Sequence, residues 1–332
     1  MIDLHLHLDG SLDQQDFIYL LTKEGIPLPS DFPSCIYVPN DCPSLEEYLK
    51  RFDLPLSLMQ SCDNIRYVMR SLLNRLYNLG YIYAEIRFAP QLHTRNGLSQ
   101  EEVVKAALAG LKEGLMGKSN FDANLILCCM RQADESINRE TIETMIKIND
   151  SKIVAVDLAG PEGFKPSLSY NELFSLARDN NLNMTIHAGE ACGNDSVMGA
   201  IDIGAKRIGH GVHLSLDDAS VKKVLDNNIY FEFCPTSNLQ TKSLKDYQDV
   251  PLNGFKSKGI KVTINSDNMT VSNTDVIQEF KHLYQTFNLS KEDVKEYLLN
   301  AIEAAFTNDI NKYRLRSYLD QKIDEFYQRI VE

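Results

Sequence analysis

Eight short apolar runs recur along the chain, and no other feature of the sequence constrains the fold as strongly. Runs of this length that are rich in β-branched residues, or that alternate apolar with polar positions, predict β-strands. They span Ile2–His7, Tyr81–Phe88, Ala123–Met130, Ile153–Leu158, Asn183–His187, Arg207–His210, Ile229–Cys234 and Ile260–Asn265. Helical patterns lie between most of them, for example at Gln100–Leu115, Arg139–Asn149, Tyr170–Asp179 and Asp217–Asp226. This alternation predicts a parallel sheet with helical connections.

Eight strand-helix repeats, followed by a helical tail at Lys291–Ile330, predict a closed (β/α)8 barrel, the TIM-barrel fold. The chain has 332 residues, of which 43% are hydrophobic, so it can bury the core that such a barrel needs. No linker, low-complexity tract or shift of composition interrupts the repeats. Because barrels of this class often form one domain at such lengths, we predict a single α/β domain over residues 1–332.

The longest connection follows the first strand and runs from Gly10 to about Tyr77. It contains amphipathic segments at Leu45–Leu58 and Asn64–Leu79, which predict a helical insertion. Loops after barrel strands face the active site, so the insertion is expected to form a wall or lid of that site. Packing against the barrel rim without gating is the alternative. Three apolar residues of the insertion are candidates for this wall, with ordinary packing as the alternative: Phe52, Leu54 and Leu56.

The charge and composition of the chain exclude several classes of partner. Lys and Arg number 34 and Asp and Glu 46, a net charge of −12, and no basic stripe is present, which argues against nucleic acid or an anionic membrane. The apolar runs, such as Ile153–Ala159, are too short for a membrane span. Met1 leads directly into the first strand without a signal peptide, and the seven cysteines lack CxxC spacing. We therefore expect a cytoplasmic protein with reduced thiols; the sequence predicts no oligomeric state.

The first strand alternates strictly between apolar and polar residues, which places its two histidines on one face. Leu4, Leu6 and Leu8 point to one side, and His5 and His7 point to the other. In a barrel the leucines would face the surrounding helices, so the histidines would project into the interior, where an unpaired polar group is costly. A bound metal would satisfy both imidazoles, and we interpret the pair as metal ligands.

Two more histidines and an acid lie at the carboxyl ends of predicted strands five and six. His187 ends strand five, and Gly189 permits a sharp turn that would bring Glu190 over the mouth of the barrel. His210 lies between two glycines at the end of strand six, where a ligand can approach the backbone closely. Catalytic groups of barrel enzymes occupy this end of the strands. A helix-capping role is the alternative for Glu190.

Asp267 follows the last strand in an Asn-Ser-Asp-Asn run, which by itself is typical of a turn. Together with His5, His7 and His187, its carboxylate completes a nitrogen and oxygen ligand set suited to Zn²⁺, although iron and cobalt are not excluded. We predict one zinc ion per chain, because the fourth strand ends at residues 157–160 without a lysine or histidine that could bridge a second metal. The other histidines are predicted to be structural or surface residues: His93, His213 and His282.

Five motifs, in this order along the chain, resemble the adenosine deaminase family of the amidohydrolase superfamily. They are His5-Leu6-His7-Leu8-Asp9-Gly10, Asp157-Leu158-Ala159-Gly160, His187-Ala188-Gly189-Glu190, Ile208-Gly209-His210-Gly211 and Ser266-Asp267. The similarity spans nearly the whole chain, because Glu85–Phe88 and Cys128–Arg131 also look like the second and third strands of the family. Arg87 and Arg131 in these segments are predicted to form ion pairs.

The resemblance implies the hydrolytic deamination of adenosine, and of 2'-deoxyadenosine, to inosine and ammonia. It implies that zinc is bound by His5, His7, His187 and Asp267, and that it activates a water for attack at purine C6. The catalytic residues would then be Asp267, Glu190, which donates a proton to purine N1, and His210, which supports the attacking water. The implied substrate contacts are the Gly160 amide with purine N3, Asp9 with the ribose hydroxyls and His7 near the sugar.

Position 268 departs from the family pattern, because many relatives have a second Asp where this chain has Asn268. Purine N7 is an acceptor, and an Asn amide can donate to it, so we predict that Asn268 contacts N7. The exact 6-aminopurine is less constrained, and free adenine or a modified adenine nucleoside is the alternative substrate. A binding or signalling protein on an inactive barrel is a further alternative, but every expected ligand and Glu190 are present.

Overall fold

Eight buried parallel strands form a barrel in which each strand pairs with its neighbour in the sequence, from β1 to β8. The structure is a computed structural model that describes residues 1–39, 42–43 and 45–332. The strands are β1 (Ile2–His7), β2 (Tyr83–Phe88), β3 (Asp122–Met130), β4 (Ile153–Ala159), β5 (Asn183–Ala188), β6 (Arg207–His210), β7 (Tyr230–Phe233) and β8 (Lys261–Ile264). The predicted (β/α)8 fold is therefore confirmed, because all eight strands form within the predicted runs or extend them by one residue.

The barrel is closed where β1 meets the segment after β8. Leu6 and Asp267 form a parallel bridge. The amide of His7 donates to the Asp267 carbonyl at 2.7 Å, and the Asp267 amide donates to the His5 carbonyl at 2.8 Å. Closure thus fixes Asp267 directly beside the two histidines of β1.

Helices surround the barrel in the described part of the chain. They are α1 (Gln14–Glu24), α2 (Leu45–Leu49), α3 (Asp53–Leu58), α4 (Cys62–Asn78), α5 (Gln100–Leu115), α6 (Glu135–Ile148), α7 (Asn171–Asp179), α8 (Asn194–Ile203), α9 (Asp218–Asp226), α10 (Pro235–Gln240), α11 (Leu252–Ser257), α12 (Val276–Phe287), α13 (Lys291–Ala304) and α14 (Asp309–Val331). No described helix is both long enough and apolar enough to cross a membrane.

The insertion and the tail are more segmented than the sequence predicts. The predicted helix at Leu45–Leu58 is two short helices, α2 and α3, joined by a turn of 3₁₀ helix at Lys50–Phe52. The tail is likewise two helices, because the chain leaves α13 at Ala305 and α14 begins after an Asn308 cap. Residues 40, 41 and 44 of the insertion lie outside the described residues.

The two sides of the strands are buried in different ways. Apolar residues that face the helices form one large hydrophobic cluster. The barrel interior instead holds fully buried charges, among which Arg87 pairs with Asp157 at 3.0 Å and Glu232 at 2.8 Å. The ion pair predicted for Arg87 is confirmed. That for Arg131 is wrong, because this guanidinium donates to the carbonyls of Lys165 and His187 and to a serine hydroxyl.

Candidate active site

A cavity of about 290 Å³ opens at the carboxyl ends of the strands and contains the polar residues singled out in the sequence. Every proposed catalytic and substrate-contacting residue lines it, together with three of the four metal-ligand candidates; His5 lies just beneath, fully buried. The lining residues that were predicted are His7, Asp9, Gly160, His187, Glu190, His210, Asp267 and Asn268. Because these positions are up to 261 residues apart, the barrel is what brings them together.

Three imidazoles and one carboxylate converge at the bottom of this cavity. His7 Nε2 lies 3.3 Å from His187 Nε2 and 3.4 Å from Asp267 Oδ1. His5 Nε2 lies 3.6 Å from the same carboxylate oxygen. His5, His7 and His187 form one group with the spacing of metal ligands, and His5, His210 and Asp267 form a second.

Buried carboxylates orient two of these histidines. His5 Nδ1 lies 2.7 Å from Glu232 Oε2, and His187 Nδ1 lies 3.0 Å from Asp157 Oδ2. Burial alone would raise the pKa of Asp157, but the neighbouring His187 and Arg87 hold that pKa below its usual range. An ionised carboxylate accepts the Nδ1 proton of each ring, which leaves the Nε2 lone pair for a metal.

The residues at this point fit a divalent metal by three criteria. The buried His5 Nε2 has no hydrogen-bond partner among the described residues, a costly arrangement unless a ligand is bound. Burial lowers the pKa of His5 and of His7 well below the usual value, so both rings are neutral, as metal binding requires. Ligand atoms about 2.0–2.1 Å from a tetrahedral zinc lie about 3.4 Å from one another, close to the separations found here. His5, His7, His187 and Asp267 are therefore a suitable zinc ligand set.

Glu232, the carboxylate that orients His5, provides a test of the metal site. Glu232 also pairs with Arg207 Nε at 2.5 Å. The Glu232→Gln substitution keeps the shape of the side chain but removes the charge that holds His5. We expect zinc affinity to fall by about 10- to 100-fold, measured by competition with a chromophoric chelator.

Glu279→Gln is a matched control, because Glu279 is equally buried but hydrogen-bonds Thr236 and Thr274 rather than a histidine. We expect it to bind zinc like the unmodified protein. Urea unfolding of both variants separates a local loss of affinity from a general loss of stability. Unchanged zinc affinity in a folded Glu232→Gln protein would contradict the orienting role.

Two residues at the mouth adopt a backbone conformation that is uncommon for residues other than glycine. His210 has φ 61° and Asp267 has φ 59°. Such conformations cost energy and are enriched at functional sites. His210 is the last residue of β6, and Asp267 follows the end of β8 by three residues. This backbone conformation directs the two side chains back toward the group formed with His5.

Glu190 lies above the histidines on a loop that another carboxylate holds in place. Thr241 Oγ1 donates to Glu190 Oε1 at 3.0 Å, and Glu190 Oε2 lies 3.7 Å from His210 Nε2. The carboxylate of Glu162 accepts four consecutive backbone amides, those of residues 189–192, at 2.5–3.0 Å. Burial raises the pKa of Glu190, and the negative Glu162 adds to this effect. A carboxyl that keeps its proton at higher pH is suited to act as a general acid.

His210 and Asp9 differ in how their polar atoms are satisfied. Burial lowers the pKa of His210 to about 4, and its Nδ1 lies 3.1 Å from Asn238 Nδ2. Because an amide nitrogen donates, the proton of the neutral ring is on Nε2, facing Glu190. Asp9 Oδ1 is buried without a hydrogen-bond partner among the described residues, and burial raises its pKa to about 6. An unpaired acceptor of this kind is suited to a ligand hydroxyl.

The insertion after β1 forms one wall of the cavity, as predicted. Phe52 and Leu56 line it, whereas Leu54 faces away and packs against the main hydrophobic core. The position of Leu54 follows from helical geometry, because residues two apart in α3 lie on different faces. Tyr48 and Leu49 complete this apolar wall.

Sequence reasoning did not identify Glu162, Glu232, Thr241 or Tyr48 as site residues. Glu232 had a usable signal, because a charged residue stands between two phenylalanines in a strand that is otherwise apolar. Glu162 had none, since a Pro-Glu-Gly run is typical of an ordinary surface loop.

The predicted structural roles of His93 and His282 agree with the structure: His93 is buried with Nδ1 3.0 Å from the Met59 carbonyl, and His282 stacks on Tyr247.

Comparisons with known proteins find relatives that match nearly the whole chain. The sequence profile described as adenosine deaminase matches residues 1–322. An adenosine deaminase of Haemophilus ducreyi is 44% identical over 330 residues, which cover 97% of this chain and 96% of the relative.

Solved structures show the same fold at lower identity. An adenine deaminase from Arthrobacter aurescens superposes with a TM-score of 0.88 at 23% identity, covering 97% of this chain and 98% of the other. An amidohydrolase from Burkholderia ambifaria with bound zinc has a TM-score of 0.88 at 19% identity, covering 99% of this chain and 92% of the other.

Proposed function

Because the chain belongs to the adenosine deaminase family, we propose that it hydrolyses adenosine, and 2'-deoxyadenosine, to inosine and ammonia. The observation that carries the proposal is the proximity of four groups that could ligate a metal, at the bottom of one cavity, to a carboxyl of raised pKa in its wall. The reaction needs both: a nucleophilic water at purine C6 and a proton for the ring as it loses aromaticity.

Zinc is the proposed metal, at one ion per chain, with His5, His7, His187 and Asp267 as its ligands. Zinc bound by these residues would make a water acidic enough to react near neutral pH. The protein contributes the orientation of the ligands. Glu232 and Asp157 hold two of the imidazoles by their Nδ1 atoms, so that the rings cannot turn away from the metal position.

Glu190 is the proposed proton donor to purine N1. Its raised pKa favours the protonated form, and Thr241 holds one of its oxygens. Protonation of N1 offsets the charge that develops when water adds at C6, and that proton stays on N1 in inosine. The proton that Asp267 would take from the water would pass to the amino group, which then leaves as ammonia, and Glu190 would regain its proton from the new hydroxyl at C6. Glu162 keeps the backbone of this loop fixed through four amide hydrogen bonds.

His210 is proposed to support the attacking water. Its Nε2 faces the space between Glu190 and Asp267, and the ring is neutral at physiological pH because burial lowers its pKa. A neutral Nε2–H can donate a hydrogen bond to an oxygen that gains negative charge. Asp267, next to it, can accept a proton from the same water as well as ligate the metal.

Three further residues are proposed to bind the nucleoside. The Gly160 amide would donate to purine N3, Asp9 would accept from the ribose hydroxyls, and the Asn268 amide would donate to N7. His7 lies between His5 and Asp9 in the sequence and would also approach the sugar. The unpaired Asp9 Oδ1 favours a nucleoside over free adenine, because a free base has no hydroxyl to satisfy it.

Turnover of a panel of 6-aminopurines, followed by ammonia release with and without a chelator, tests substrate, reaction and metal together. We expect adenosine and 2'-deoxyadenosine to be deaminated and adenine to react more slowly, with activity lost in chelator and restored by zinc. Faster turnover of adenine or of an N6-modified nucleoside would replace the proposed substrate. A protein without metal and without activity on the whole panel would point to a binding role on an inactive barrel.

The cellular setting is proposed on separate grounds. The seven cysteines lack CxxC spacing, and reduced thiols of this kind fit a cytoplasmic location. Residues 1–332 are proposed to act as one domain, and the partner is a small purine nucleoside rather than nucleic acid or a membrane.

A further inference from the structure

A small hydrophobic cluster, separate from the main core, joins the insertion to the loop after β8. It contains Val38, Cys42, Tyr48 and Val271, with Phe52 packed against it. The Val38 amide also donates to the Val271 carbonyl at 2.8 Å. Because Asn268 is in the same loop after β8, this contact brings the insertion to the residue that is proposed to recognise purine N7.

Tyr48 is the member of this cluster that reaches Asn268. The residue is 3% exposed, and its hydroxyl lies 2.8 Å from Asn268 Nδ2 and 2.9 Å from Ser272 Oγ. Burial raises the pKa of Tyr48 well above its ordinary value, so the phenol keeps its proton and can donate to Ser272. Tyr48 and Asn268 both line the cavity.

The orientation of the Asn268 amide depends on a hydrogen-bond partner such as Tyr48. The two ends of the amide have nearly the same shape but opposite hydrogen-bonding character. The oxygen has no hydrogen-bond partner among the described residues, and it packs over Gly10, where a Cβ atom would lie 1.9 Å from it. The NH₂ group has two hydrogens. Tyr48 accepts one of them, which leaves the other for an acceptor in the cavity.

We propose that Tyr48 is a positioning residue that holds the NH₂ end of Asn268 toward purine N7. An asparagine has its donor and its acceptor fixed at different ends of the amide, so it needs a partner to place the donor end toward N7. Tyr48 thereby selects for purines with an acceptor at position 7. This inference rests on the proposed function, specifically on the contact of Asn268 with N7.

The test compares two products, inosine and 7-deazainosine, in which a C–H replaces N7. Each is used as a competitive inhibitor of adenosine turnover, and the readout is the ratio of the two inhibition constants. Three variants are measured beside the unmodified enzyme: Tyr48→Phe, Asn268→Ala and Tyr37→Phe. Tyr37 is a matched control, because it lies in the same insertion but its hydroxyl accepts from Gln14 rather than from a cavity residue.

We expect the unmodified enzyme and Tyr37→Phe to bind inosine more tightly than 7-deazainosine. In Tyr48→Phe the productive amide orientation has an unpaired N–H, so the preference for inosine should fall by about threefold to tenfold. Binding of 7-deazainosine should stay within about twofold, since that ligand makes no use of the amide. Asn268→Ala should bind the two ligands about equally.

Each contrary outcome has a distinct meaning. If the unmodified enzyme does not prefer inosine, the proposed N7 contact is wrong, whatever Tyr48 does. If Asn268→Ala loses the preference but Tyr48→Phe keeps it, the N7 contact stands and the role of Tyr48 is overturned. An equal weakening of both ligands in Tyr48→Phe would make its role structural, which also overturns the inference.

Discussion

Substitution of Glu190 by glutamine is expected to lower kcat for adenosine by about 10²- to 10⁴-fold, the usual contribution of a general acid. Glutamine has nearly the same shape, and its oxygen can still accept from Thr241, which is 3.0 Å from Glu190 Oε1. It has no proton to transfer to N1. The inhibition constant of inosine and the zinc content should therefore stay near those of the unmodified protein.

The pH dependence of the reaction gives an independent check on this role. Burial raises the pKa of Glu190, so the carboxyl keeps its proton to a higher pH than an exposed glutamate does. Activity that needs this proton should be present below the raised pKa and fall as pH rises through it. We expect this decline in kcat/KM of the unmodified enzyme and its absence from the residual activity of Glu190→Gln.

Glu172→Gln is a suitable control, because Glu172 is an exposed residue in the first turn of α7. It should leave kcat and the pH profile unchanged. A Glu190→Gln enzyme with kcat within about tenfold of the unmodified value would exclude Glu190 as the principal proton donor.

Substitution of His7 by alanine is expected to remove most of the bound metal and, with it, the activity. His7 Nε2 lies 3.3 Å from His187 Nε2 and 3.4 Å from Asp267 Oδ1, so the change deletes one of the four converging ligand groups. Its side chain is 15% exposed, so the fold is less at risk than with the fully buried His5. We expect the zinc content to fall well below one ion per chain and kcat/KM to fall by about 10³-fold or more.

Zinc content after dialysis, measured by mass spectrometry, is the primary readout because it does not depend on turnover. His282→Gln is the control, since His282 stacks on Tyr247 away from the cavity and should leave zinc at the unmodified level. Thermal unfolding in excess zinc and in chelator adds a second readout: the unmodified protein should be stabilised by zinc and His7→Ala should not. Full zinc occupancy in a folded His7→Ala protein would remove His7 from the ligand set.

The strand pattern of this chain was readable because it depends on near neighbours. Alternation of side chains with a period of two assigns His5 and His7 to one face of β1, and the apolar runs identify all eight strands. Helix ends were less predictable. The helix predicted at Arg139–Asn149 begins one turn earlier, at Glu135, because its first turn contains a single apolar residue, Ile137, which is too little to show a helical period. The break between α2 and α3 was missed for a similar reason, since both segments are amphipathic.

Residues whose role depends on distant partners could not be read in the same way. Arg131 was expected to pair with an acid but donates mostly to backbone carbonyls, and no local pattern distinguishes the two. Glu162 accepts amides that are 27–30 residues away, and Tyr48 meets Asn268 across 220 residues. Such contacts leave no periodic trace in a single sequence.

The sequence by itself determined the order of strands and helices, the barrel that follows from it, and the candidate ligands, because strand period and strand-end position are local properties. Only the tertiary structure decided which groups hold those candidate ligands in position. Closure of the barrel places Asp267 beside His5 and His7, and buried Glu232 and Asp157 orient the rings from the side opposite the cavity. The physical reason is that burial makes every polar group require a partner, and the fold alone selects which one it finds.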